Sequence, residues 1–264
     1  MDDRNRVSDY IDFLQSQGRY TFARDEIEEN LDKSSQAIES ALRRLKDKGR
    51  VISPRKGFYV IIPLEYKSLG SLPATWFVKE LMEYLEQPYY VCLLSAAELY
   101  GAAHQRPQVF QVMTDHPTRL VDSGKVRIEF HVNHFIESVP VRQLSTRAGY
   151  LTVSTPEATA LDLIRYNKAS GGLDNVATVL TELSENIKPE ALAAAAALVE
   201  EPIAQRLGYL LDLVGHEQLT VPLHRLVYAR RSRLTPLRPD LEWEGVESEQ
   251  RWKIVPNIEI ESDI

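Results

Sequence analysis

Residues 34–48, SSQAIESALRRLKDK, run directly into GRVISPRKGFYVI, and this pairing of a short amphipathic helix with a basic β-hairpin constrains the fold most. On a 3.6-residue period, Ile38, Ala41, Leu42 and Leu45 share one face, which must bury against a small core. Gln36, Ser40, Arg43 and Asp47 fall opposite, facing outward. Ser34 is placed to cap the helix N-terminus with its hydroxyl, leaving Ser35 and Gln36 in the first turn to approach a phosphate or a base edge. Gly49 stops the helix. Val51 and Ile52 on one side and Phe58–Ile62 on the other flank Ser-Pro-Arg-Lys-Gly, which predicts a hairpin with Arg55 and Lys56 at its tip.

Upstream, Val7, Tyr10, Ile11 and Leu14 repeat at i, i+3, i+4, i+7, and Thr21 precedes a run containing Phe22, Ile27 and Leu31. These predict a first and a second helix. Helix, helix, helix, hairpin is the order of a winged helix-turn-helix, whose third helix can enter the major groove of DNA. Charge follows the same division. Residues 33–56 hold eight basic side chains against two acids, a local net charge of +6, whereas residues 1–32 hold four against nine, or −5. The cations thus lie on the elements expected to meet phosphate. Because the whole chain carries −7, any attraction to nucleic acid must be local.

A length of 264 residues accommodates two domains, and the boundary is expected at Pro63 and the turn-rich stretch Lys67–Pro73. The expected division is residues 1–66, 67–236 and an acidic extension, 237–264, with eight acids against three bases, expected to be irregular or short-stranded, a loosely packed tail that covers part of the second domain. In the second domain Phe77, Leu81, Tyr84 and Leu85 form a helical stripe, and Ser95-x-x-Glu98 reads as a capping box. Strands are predicted at Val109–Thr114, Lys125–Val132 and Tyr150–Val153, with DHPTRLVDSG as a long turn between the first two. Thr155 is an expected N-cap with Pro156 at the first helical position, opening an apolar helix that ends near Lys168. Helices follow at Leu173–Leu183, Pro189–Val199, Ile203–Val214 and Val221–Arg230. The fold class is α+β: a winged helix-turn-helix followed by a larger, helix-rich α/β domain with a small mixed sheet.

The single cysteine, Cys92, excludes an intramolecular disulfide and a cysteine-rich zinc site, and its apolar setting predicts burial. The N-terminus, MDDRNRVSDY, lacks the apolar core of a secretion signal, and no stretch of eighteen apolar residues occurs, so the expected location is the cytoplasm, without membrane contact. His131 and His134 would point to opposite faces of a strand, which argues against a metal site. Asp115, Glu129 and His131 allow a weaker, metal-dependent nuclease reading, but without the usual closing lysine. No phosphate-binding loop, dinucleotide fingerprint or nucleophile elbow is present, so no cofactor and no catalytic residue is expected, and the chain reads as non-enzymatic. A second basic cluster, Arg225, Arg230, Arg231, Arg233 and Arg238, reads either as a solvated helix face or as a further phosphate or partner surface. Tyr89, Tyr90 and the tail tryptophans Trp243 and Trp252 are candidates for a partner surface, although burial is the commoner fate of aromatics.

The order of elements, with LLSAAELYGAAHQRPQVFQVMT at 93–114 and YLTVSTPEATALDLI at 150–164, resembles the AbiEi family of antitoxins from abortive-infection toxin–antitoxin systems. The resemblance spans roughly residues 5–235. It implies a winged helix ahead of a larger antitoxin domain and a type IV system, acting without a stable toxin–antitoxin complex. It further implies repression of the protein's own operon through inverted-repeat double-stranded DNA, with a homo-oligomer possible on that DNA, and protection against a nucleotidyltransferase-type toxin. The winged-helix positions carried over are Ser35, Gln36, Ser40, Arg43 and Arg44 on the third helix and Arg55 and Lys56 on the wing. A stand-alone winged-helix regulator is the alternative reading.

Overall fold

The computed structural model describes residues 6–102 and 107–261. The charged leader at 1–5 and the middle of the 93–114 motif, residues 103–106, lie outside the described residues, as do 262–264. The fold is α+β, with ten α-helices and a six-stranded mixed sheet among the described residues. The chain divides into two compact units: Met1–Tyr90 with Gln108–His134 and Gln143–Thr152, and Val91–Pro107 with Phe135–Arg142 and Val153–Ile264.

The first unit begins with α1 (Val7–Ser16), β1 (Thr21–Ala23), α2 (Arg24–Asn30), α3 (Ser35–Asp47), β2 (Val51–Arg55) and β3 (Phe58–Ile61). Thr21–Ala23 is a strand where the sequence predicted the start of the second helix. Its Thr and Phe suit a pleated surface, and it pairs antiparallel with β3, Thr21 opposite Val60, to give a sheet of order β1-β3-β2. Ile38, Leu42 and Leu45 from α3 join Val7, Ile11 and Leu14 from α1, and Phe22, Ile27, Val51 and Ile61, in one buried cluster. The amphipathic periods of α1 and α3 therefore meet each other as the sequence requires. The ladder between β2 and β3 shifts register between Ile52 and Arg55, where Pro54 cannot donate to it, and the Ser53 hydroxyl donates instead to the Arg55 carbonyl at 2.7 Å.

The hairpin turns at Lys56-Gly57. Gly57 has φ +83°, which favours glycine, and the Tyr84 hydroxyl lies where a Cβ would stand, 2.5 Å from it. Tyr84 ends α4 (Val78–Tyr84) and donates to the Lys56 carbonyl at 3.0 Å. The same unit holds β5 (Phe110–Thr114), β6 (Val121–Ser123) and β7 (Val126–Val132). β5 and β7 run parallel, and β6 pairs antiparallel with β7, so the predicted long turn contains a strand.

The remaining strands are β4 (Tyr89–Val91), β8 (Val141–Thr146) and β9 (Gly149–Ser154), and the sheet order is β6-β7-β5-β4-β9-β8. β8 was not anticipated. It is an edge strand whose residues are exposed or half-buried, so it lacks the apolar alternation that marks a strand in sequence.

The second unit contains α5 (Leu93–Leu99), α6 (Pro156–Arg165), α7 (Leu173–Leu183), α8 (Pro189–Ala196), α9 (Glu201–Leu213) and α10 (Val221–Ala229), followed by β10 (Thr235–Pro236) and β11 (Ile254–Val255). α5 starts two residues before the predicted capping box, with Cys92 at the N-cap, so Ser95 sits buried inside the helix. Thr155 caps α6 as predicted, accepting from the Ala158 N–H at 3.3 Å with Pro156 in the first turn. α6 is buried over nearly its full length, which extends even to Glu157, whose carboxylate accepts from the Lys188 N–H at 2.9 Å. Its α-helical part stops at Arg165, and a 3₁₀ turn continues through Asn167–Ser170.

The C-terminal segment is short-stranded and covers part of the second unit, as expected, but it is not loosely packed. Instead of a loose tail, it pairs β11 in parallel with β10 and buries Trp252 to 1% exposure. The Trp252 ring lies against Gly208 of α9, where a Cβ would stand 2.3 Å from it, and the indole N–H donates to Asp212 at 2.6 Å. Gln205, fully buried, donates to the carbonyls of Arg233 and Trp252 at 2.8 and 2.9 Å. Tyr90 is also buried, so neither it nor Trp252 belongs to a partner surface.

Candidate nucleic-acid interface

α3 is positioned by its ends and by one face. Ser34 caps it, its hydroxyl accepting from the Ala37 N–H at 3.3 Å, and Gly49, at φ +65°, ends it. With the core face fixed, the other residues are displayed at 100° intervals. Gln36, Ser40 and Arg43 line one groove of about 580 Å³, together with Glu39, Lys46, Ser53 of β2 and Tyr59 of β3. Three of the expected positions are thus brought together, with a wall supplied by the hairpin. Burial beside Phe22, on which it stacks at 5.2 Å, pushes the Tyr59 phenol up from its ordinary value.

The other expected positions go elsewhere. Arg44, one residue on from Arg43, turns onto a different face and lines a separate pocket between α1 and α3 with Arg6, Lys33 and Lys48. Ser35 accepts from Arg24 at 2.6 Å and donates to Glu28 at 2.9 Å. These bonds, Ser35 first and then Arg24, hold the Glu28 carboxyl below its usual range. Ser35 therefore ties α2 to α3. Lys56 is exposed at the hairpin tip. Arg55 is half-buried: its guanidinium donates to the carbonyls of Arg119 and, at 3.1 Å, Leu120, and lies 5.7 Å from the Phe130 ring centroid. Desolvation, with the nearby Arg119 charge, lowers its pKa. In this arrangement it anchors the hairpin.

Sequence reasoning missed Glu39, Lys46, Ser53 and Tyr59 in the groove. Lys46 was legible, since it follows Arg43 by three residues; Ser53 and Tyr59 enter only through the hairpin's packing.

The other candidate sites are less convergent. His131 lies in β7, where burial lowers its pKa against the opposing pull of Glu129. The His134 ring contacts the Asp115 carbonyl at 3.0 Å, and Asp115 pairs with His116 at 2.5 Å. Among the described residues no three His, Cys, Asp or Glu side chains gather to hold a metal ion. In the second basic cluster Arg230 donates to the Ala197 carbonyl at 2.7 Å and Arg238 pairs with Asp240 at 2.8 Å, while Arg225, Arg231 and Arg233 are exposed. Among the described residues no helix is long and apolar enough to cross a membrane.

The fold has a counterpart in the crystal structure of the RV2827C protein from Mycobacterium tuberculosis, with a TM-score of 0.68 at 16% identity, covering 94% of this chain and 90% of that chain. At that identity the likeness is one of fold. No curated protein matches the chain. Residues 89–213 match the family model of the AbiEi antitoxin C-terminal domain, the segment that includes α5, the cap at Thr155 and the buried helix α6. An antitoxin of this kind belongs to a toxin–antitoxin system and implies a toxin against which it acts. Residues 89–213 thus carry the likeness to the AbiEi antitoxin C-terminal domain.

Proposed function

We propose that this antitoxin also regulates its own synthesis: residues 1–66 form a winged helix-turn-helix that binds inverted-repeat double-stranded DNA in its promoter, and residues 67–236 counteract the toxin. The observation that carries the DNA reading is the groove along α3, where Gln36, Ser40, Arg43 and Lys46 face outward beside the β2–β3 hairpin. A helix of this length fits the major groove, where Arg reads guanine, Gln reads adenine and Ser reads either, while cations neutralise phosphate. Lys56 at the hairpin tip reaches the backbone, and Arg55 and Ser35 act one step back, fixing the hairpin and the entry to α3. Repression of the operon as a homo-oligomer on DNA, a cytoplasmic location, a non-enzymatic mode of action and a nucleotidyltransferase-type toxin met without a stable complex complete the reading.

Two measurements test it. Fluorescence anisotropy on the chain's own upstream DNA should give tighter binding than on a random duplex, with the difference reduced in Arg43→Ala; equal affinity for both duplexes in the wild type would remove the operator. Co-expression with the adjacent reading frame should show growth arrest relieved by the full chain, and a neighbouring gene without toxicity would remove the nucleotidyltransferase partner.

A further inference from the structure

The pocket between α1 and α3 is distinct from the groove that faces the hairpin. Four cations, Arg6, Lys33, Arg44 and Lys48, line about 380 Å³ over an apolar floor of Val7, Ala41 and Leu45. No acid lines it among the described residues. Arg44 lies in the last turn of α3 and Lys48, four residues on, is its C-cap, Arg6 is the N-cap of the ten-residue α1, and Lys33 belongs to the link between α2 and α3. Three chain segments thus bring positive charge to the lining of one concavity, beside the N-terminus of α1, where the Ser8 hydroxyl donates to the Asp9 carboxylate at 3.2 Å. The four cations are exposed, and together they make a local positive potential beside an apolar floor, which favours an anion at this place. The groove, by contrast, includes Glu39 among its cations, as a base-reading surface can and a phosphate site cannot favourably do.

We infer that this α1–α3 pocket is a phosphate-binding site, separate from the base-reading groove, in which Arg44 and Lys48 from one helix and Arg6 and Lys33 from its neighbours hold a phosphate group. The phosphate comes either from the backbone of bound DNA, in which case the inference rests on the DNA-binding reading above, or from a free phosphorylated ligand. A planar guanidinium offers paired N–H donors to two phosphate oxygens, and the lysines contribute compact point charges. The site assigns Arg44 to register and affinity rather than to sequence recognition.

The test uses the full chain and three probes: the chain's own upstream duplex, a random duplex of equal length, and inorganic pyrophosphate followed by calorimetry. The double variant Arg44→Gln, Lys48→Gln removes two exposed cations, and its melting temperature is compared with the wild type to verify folding. A charge-matched control, Arg147→Gln with Lys188→Gln, removes two exposed cations and lowers the net charge equally at positions remote in sequence from α1 and α3. If the phosphate is DNA-borne, the pocket variant weakens both duplexes by the same factor and lowers the slope of log affinity against log salt by about two, whereas the control does not. If it is free, pyrophosphate binds the wild type and the control, is lost from the pocket variant, and duplex affinities stay unchanged. The inference is overturned if the pocket variant matches the wild type with all three probes, if the control loses as much as the pocket variant, or if the variant loses affinity only for the upstream duplex. Wild-type protein that binds pyrophosphate but neither duplex breaks the DNA reading and leaves the pocket standing; binding of none of the three probes overturns both.

Discussion

The cations of α3 and four arginines between α9 and the C-terminus, Arg206, Arg230, Arg238 and Arg251, are put to opposite uses. Arg206 donates through Nε and Nη2 to the Pro236 carbonyl at 3.1 Å, Arg230 reaches the Ala197 carbonyl, Arg238 is forked onto Asp240, and Arg251 meets Asp212 at 3.2 Å. Each joins parts of the second unit distant in sequence or closes a local turn. Arg43, Arg44, Lys46 and Lys48 are exposed, and the ion pairs of this region among the described residues involve Arg19, Arg24 and Arg50 instead. Abundance of arginine therefore says little about function. What separates a binding surface from a structural one is whether the donors are already occupied by the protein's own carbonyls and carboxylates, and by that measure Arg55 falls with the structural group although it lies on the predicted wing.

This contrast breaks most visibly at Trp252. Trp252→Ala removes a fully buried ring and leaves Asp212 without its indole donor, so a loss of about 3–5 kcal/mol in urea unfolding is expected, and a loss below about 1 kcal/mol would show that the tail does not lock the second unit. Gly208→Ala forces the ring away from the opposite side and should cost about 1–3 kcal/mol. Neither change should alter DNA affinity measured below the unfolding transition. Arg43→Ala reverses the pattern: unfolding stays within about 0.5 kcal/mol of the wild type, as for a surface substitution, while binding to the upstream duplex falls by about 1–3 kcal/mol. An equal loss on random DNA would reassign Arg43 to phosphate.

A finer version uses the two helix caps, which share one geometry. Ser34→Ala and Thr155→Ala each remove a 3.3 Å bond to the third N–H of a helix, and each should cost about 0.5–2 kcal/mol of stability. Only the Ser34 variant should also weaken DNA binding, because only α3 carries the groove. A Thr155 variant that weakened it equally would mean that the binding loss reports general loosening.

Both caps were legible in the sequence because a cap is a local signal: a hydroxyl, an N–H three residues on, and an apolar period behind them. The helices from Leu173 to Ala229 were legible from their apolar period alone, without a side-chain cap, and α3 and the hairpin were legible too. The short strands β6 and β8 were not, since three residues, or six exposed or half-buried ones, carry no period of their own and are defined by the neighbour they pair with. Trp252 was hidden in an acidic stretch whose composition suggests solvent, and only the notch at Gly208, 44 residues earlier in the chain, explains its burial. Within the candidate site, Gln36, Ser40 and Arg43 followed from the helical period. The separation of Arg44 from Arg43 followed from it too, at 100° per residue, but its consequence needed α1 and Lys33 in place. The partners of Arg55, more than sixty residues away in sequence, were beyond any local reading.

The smallest expected effect concerns pH and a half-buried group, the His131 imidazole of β7. Burial in β7 lowers the pKa of His131, and the Glu129 charge pulls only partly the other way, so the folded protein holds this imidazole neutral below the pH at which a free one would protonate. In the unfolded chain the same group takes up its proton near pH 6.5. As pH falls through about 6.5 toward the lowered folded value, the unfolded state binds more protons than the folded state, and stability falls; above about 7.5 the contribution is fully present and flat. The urea midpoint should therefore decline more steeply between pH 7.5 and 5.5 in the wild type than in His131→Gln, a variant that keeps a polar side chain without a charge change in that range. Parallel midpoint curves for the two proteins would show that His131 is solvated well enough to titrate normally, and would move it from the structural side of the comparison to the exposed one.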